Sequence, residues 1–186
     1  ELWGEYGMTA YNLGGHSNTM AINYWVLKNA LDYASPKLVV LDCFDISGDT
    51  RCSDTSFAHF SLDALPLSKN KVSAVYDIFS EPDLIPLRSD FLFRFSIYHT
   101  RWEELSADDF IAGNGIENGA NSRIGLAAPA FFAPTDAAAE VASDNVGLSY
   151  FDRILAECES RGIDVLLTYL PYPAPEERWM EANYVQ

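Results

Sequence analysis

Tyr11–Ile46 reads YNLGGHSNTMAINYWVLKNALDYASPKLVVLDCFDI, and three patterns in succession there decide the fold class. A strand at Thr9–Leu13 runs into the glycine turn at Gly14 and Gly15. A helix follows, capped by Ser17 or Asn18, with Met20, Tyr24, Leu27 and Leu31 on one face until Ser35-Pro36 breaks it. KLVVLDCF, Lys37 to Phe44, is then a continuous apolar run of the kind found in strands covered on both faces. A strand–helix–strand unit of this type closes right-handed and sets its strands parallel.

The pattern returns near the other end. Leu148, Phe151, Ile154, Leu155 and Cys158 mark a helix stopped at Arg161-Gly162, IDVLLTYLP is a second buried-type strand, and Pro175-Glu176-Glu177 opens another helix. ELWGEYG at the start reads as a short helix stopped by Gly7. From about 46 to 145 the periodicity weakens into a long polar and aromatic insertion. Helices are expected there at Leu67 to Phe79 and Tyr98 to Phe110, with a hairpin around NGIENGANSRIG. The expectation is a single α/β domain over 1–186.

With 186 residues, 48% of them apolar, the chain is able to bury roughly 70% of its unfolded surface, and no run reaches the ~20 apolar residues of a membrane span. A net charge of -15 with scattered Lys and Arg argues against nucleic acid as a partner. Cys43, Cys52 and Cys158 lack zinc or redox spacing, and His16, His59 and His99 lack metal-ligand spacing, so the spacing points to no metal site. Cys158 falls on a helical apolar stripe and reads as core.

Ligands of open parallel sheets bind beyond the carboxyl ends of the strands, which singles out Gly14 to Asn18, Cys43 to Ser47 and Leu170 to Tyr172. The glycine turn before a helix suits an oxyanion or phosphate, and equally suits a tight turn with a capping serine. A dinucleotide fingerprint fails, because His16, Ser17 and Asn18 stand where GxGxxG requires small residues. Ser17, His99 and Asp45 are the components of an internal triad, but nothing in the sequence fixes their geometry, and Ser17 lacks a GxSxG setting.

The run Tyr11–Ile46 resembles the second and third conserved blocks of SGNH-type hydrolases, in a bacterial surface branch similar to wall D-alanyl-transfer proteins and polysaccharide O-acetyltransferases. YHTRWEELSADDF and LLTYLPYP resemble that branch too. The resemblance implies a three-layer sandwich around a parallel flavodoxin-like sheet, and a serine esterase or acyltransferase acting outside the cytoplasm on a surface polysaccharide or cell-wall polymer. A membrane acyltransferase is an implied partner, and the resemblance implies no metal and no organic cofactor. Gly14, or else Gly15, matches the oxyanion-hole glycine, while the third block offers no Asn near Cys43 to Asp45.

His16, Ser17, Asn18 and Asp45 would then line the substrate site, together with His99, Arg101 and Trp102. The alternative for Trp102 is an anchor for the insertion, with Arg101 paired to Glu103 or Glu104. The family's GDS-like serine and DxxH-like pair do not occur in the sequence, which therefore reads as a partial SGNH-like domain. The rival is a non-catalytic carbohydrate-binding or scaffold protein on the same fold.

Overall fold

The computed structural model describes residues 2–93, the strand pair 116–117 and 120–121, and residues 145–169. Helix α1, Leu2–Tyr6, ends at Gly7, whose φ of 64° is a left-handed conformation that glycine adopts without a Cβ clash. Residues 7–15 carry no regular structure and are exposed. The strand expected at Thr9–Leu13 is therefore not formed. An extended segment becomes a strand only beside a neighbour that takes its backbone hydrogen bonds, and among the described residues it pairs with no strand.

Helix α2, Met20–Ala30, is capped by Thr19, not by Ser17 or Asn18. Thr19 has the extended backbone a cap requires and accepts the Ile22 N–H at 3.3 Å, whereas Ser17 sits at a φ of 54°. Met20, Tyr24 and Leu31 are buried as the spacing requires. Strand β1, Leu38–Asp42, follows.

The expected insertion contributes directly to the core. Helix α3, Thr55–Leu62, is capped by Asp54, and α4, Lys69–Ile78, by Ser68. A 3-10 turn at Ile85–Leu87 leads into α5, Arg88–Leu92. Ala58, Leu62, Ala74, Val75, Ile78, Phe79 and Phe91 join α2 in one apolar cluster. Only the α4 region was legible as a helix. Strands β2, Ile116–Glu117, and β3, Ala120–Asn121, pair antiparallel inside the expected hairpin stretch. The expected helices at Tyr98 to Phe110 and after Pro175 lie outside the described residues.

Helix α6, Val146–Ser160, is capped by Asn145 and stops at Arg161 and Gly162, the glycine at a φ of 64°. Strand β4, Asp164–Thr168, then pairs parallel with β1, in register Val39 with Val165 and Val40 with Leu166. Cys158 is fully buried.

The architecture is α/β, with a two-stranded parallel sheet among the described residues. One sheet face, with Val39, Leu41 and Val165, packs into the helical core. On the other face Val40 is 59% and Leu166 51% exposed.

Candidate functional site

Two helix starts meet the loop that follows β1. The ladder runs one residue past the strand, where the Cys43 N–H donates to Thr168 O at 2.9 Å, and the chain then turns through Phe44–Ser47. Asp45 Oδ2 accepts the Met20 N–H at 3.1 Å, at the first residue of α2. Thr19 Oγ1 donates to Arg51 O at 2.7 Å, and the Gly147 N–H near the start of α6 donates to Gly48 O at 2.7 Å.

Asp45 is thereby engaged as a helix cap. Burial pushes its carboxyl above the usual range, against the opposing hydrogen bond from Met20. Two glycines make room for it. A Cβ at Gly48 would meet the Asp45 carboxylate at 2.7 Å, and one at Gly147 would meet Asp45 O at 2.5 Å. The Cys43 thiol is raised mainly by burial, with Asp42 adding to the effect.

The glycine turn lies along α3. Gly15 packs so closely against Ser61 Oγ and the Asn18 amide that a side chain there would force both to shift. Ser61 Oγ donates to Asn18 Oδ1 at 2.7 Å, Asn18 Nδ2 donates to Asn23 Oδ1 at 3.2 Å, and Ser53 Oγ donates to Ser17 O at 3.1 Å. The His16 ring meets Phe57 edge-on at 4.2 Å. The left-handed Ser17 backbone is held by these contacts on both sides.

Gly14 has a different environment. Its N–H donates to Asn12 Oδ1 at 2.9 Å, an Asx-type turn in an exposed segment. To stabilise an oxyanion, that N–H has to be released by Asn12.

The structure thus ties Gly15, His16 and Asn18 to α3, Ser17 to Ser53 just before it, and Asp45 to the start of α2. His99, Arg101 and Trp102 lie outside the described residues. Sequence reasoning missed Phe57, Phe60 and Ser61. The capping Asp54 before TSFAHFSL was the available signal, obscured by the short helix and its neighbouring Ser and Gly residues.

His59 also pairs with Asp63, Nδ1 to Oδ2 at 3.0 Å, but its ring stacks on Phe91 at 3.9 Å. It lies two residues before Ser61, so it projects from a different side of α3 than the turn does. Among the described residues no three His, Cys, Asp or Glu side chains gather to hold a metal ion. No described helix is long and apolar enough to cross a membrane.

A cleft of about 310 Å³ lies at the opposite, N-terminal end of the strands, lined by Leu31, Ala34, Ser35, Pro36, Arg161 and Ile163. Its guanidinium is already bonded to Glu157 and to Leu31 O. No family model, curated protein or solved structure matches this chain.

Proposed function

We propose that the chain is part of an SGNH-like serine esterase or O-acyltransferase with a flavodoxin-like three-layer sheet, acting outside the cytoplasm on acyl groups of a surface polysaccharide or wall polymer. The observation that carries this reading is the unfinished sheet. Among the described residues strand β1 has a hydrogen-bonded neighbour, β4, on one edge, and Val40 on its second face is 59% exposed. Parallel sheets are ordinarily covered on both faces. The reading supplies a central strand beside β1, with Thr9–Leu13 on that strand's far side.

In such a site a serine Oγ attacks the ester carbonyl while a histidine takes its proton. The alcohol leaves with that proton, and water or a sugar hydroxyl then takes the acyl group from the serine. Gly14 is the oxyanion donor in this arrangement. The serine and histidine belong to the whole protein, not to these residues.

The second reading, a carbohydrate-binding scaffold without catalysis, is favoured by one observation, the Asn12 carboxamide already holding the Gly14 N–H. The two separate on a serine-directed fluorophosphonate. The full reading frame, expressed and folded, labels on a single serine if the enzyme reading holds. A folded sample that stays unlabelled leaves the scaffold.

A further inference from the structure

Helix α3 shows two faces. Ala58 and Leu62 are buried in the core, whereas Phe57, Phe60 and Ser61 share the face along which the His16–Asn18 turn lies. Phe57 stacks with Phe60, centroids 6.2 Å apart and planes at 30°, and Phe60 is 73% exposed. His16, Phe57 and Phe60 therefore form a continuous aromatic ledge. The Ser53 and Ser61 hydroxyls, the Asn18 carboxamide and the Ser17 carbonyl border it.

Single exposed apolar residues are ordinary on protein surfaces, but three rings in contact beside a polar turn make a recognition surface. The side-chain contacts around the rings come from hydroxyls and a carboxamide, and the nearby Asp54 carboxylate is engaged by the Ser56 and Phe57 N–H groups as the cap of α3, on a chain of net charge -15. Such a surface suits an uncharged ligand, and the acidic chain disfavours an anionic one. The C–H faces of a pyranose ring carry partial positive charge and meet the negative face of an aromatic ring. The sugar's equatorial hydroxyls then point outward, towards bordering groups that donate and accept.

We propose that His16, Phe57 and Phe60 form a stacking subsite for a neutral sugar ring, with Phe60 as its principal contact. This rests on the reading of the chain as a polysaccharide-directed protein and names the subsite that holds the glycan.

The test is titration of the full-length protein with cellohexaose and chitohexaose, followed calorimetrically. The wild type binds at least one of them, and Phe60→Ala weakens that binding about tenfold, the loss expected when one aromatic anchor is truncated. Circular dichroism and the thermal midpoint stay unchanged, because Phe60 projects into solvent. Phe60→Trp retains binding and gains an indole emission that the sugar changes.

Wild-type protein that binds neither sugar, or Phe60→Ala that binds as well as wild type, overturns the subsite. Fluorophosphonate labelling reads the acyl-transfer reaction separately. A labelled serine with sugar binding indifferent to Phe60 removes the subsite and keeps the enzyme. Sugar binding lost in Phe60→Ala, on a protein that never labels, keeps the subsite and removes the enzyme.

Discussion

Asp45 Oδ2 holds the Met20 N–H at 3.1 Å, so the loop after β1 is fastened to the first residue of α2. Burial raises the Asp45 carboxyl pKa more than this hydrogen bond lowers it. In the unfolded chain the group ionises near its ordinary value of about 3.9. Its favourable contribution is therefore complete below that value and is lost as pH rises through the raised folded value.

Asp45→Asn keeps an acceptor for Met20 and never ionises. At pH 7 it is expected to be as stable as the wild type or more stable, with the difference vanishing below about pH 4. Asp45→Ala removes the acceptor and costs about 1 kcal/mol. Urea denaturation at the two pH values checks this, and an Asn variant as unstable as the Ala variant at pH 7 would contradict it.

Gly147 sits where a side chain has nowhere to go. An added Cβ meets Asp45 O at 2.5 Å and Ile46 O at 2.6 Å, and both are backbone atoms unable to swing aside. Gly147→Ala is expected to cost about 1–3 kcal/mol through overpacking. Gly162→Ala meets no neighbour and is strained only by its φ of 64°, so about 1 kcal/mol is expected there. Thermal midpoints should fall in that order; equal midpoints would show that α6 shifts to accept the methyl group.

Asp77 joins three helices. Its Oδ2 accepts from Trp25 Nε1 at 2.7 Å and from Arg153 at 3.2 Å, while the Arg153 guanidinium lies 4.1 Å from the Tyr24 ring and 4.4 Å from that of Tyr150. Trp25 is buried, so Asp77→Ala leaves its N–H without this partner, at a cost of about 1–3 kcal/mol. The Asp77–Arg153 pair is partly exposed, and a double-mutant cycle should give a coupling of only about 0.5–1 kcal/mol. A larger coupling would mean that the cation's aromatic contacts depend on Asp77.

Asn12 competes with any ligand for the Gly14 N–H. If Gly14 serves the oxyanion, Asn12→Ala frees the donor and should speed fluorophosphonate labelling of the full-length protein by about threefold to tenfold, the equivalent of one net hydrogen bond. An unchanged rate would remove Gly14 from the oxyanion hole while leaving the serine chemistry intact.

The glycine turn illustrates how far residue type alone reaches. Its place at the start of α2 and the buried face of Met20, Tyr24 and Leu31 were legible, because apolar periodicity is local information. The choice of Thr19 over Ser17 as cap was not, since all three polar residues suit the role and the contacts of α3 decide which backbone turns left-handed. The expected strand at Thr9–Leu13 failed for a related reason. Strand formation depends on a neighbour, which local pattern does not report.

The sequence alone determined the helices α2 and α6, the apolar runs that became β1 and β4, the stop at Gly162 and the burial of Cys158, each encoded within a few turns of chain. Only the tertiary structure decided that β1 pairs with β4, that Asp45 caps α2, and that Phe57 and Phe60 meet His16. Those relationships join residues far apart in sequence, and they depend on packing against shared neighbours, which no local periodicity encodes.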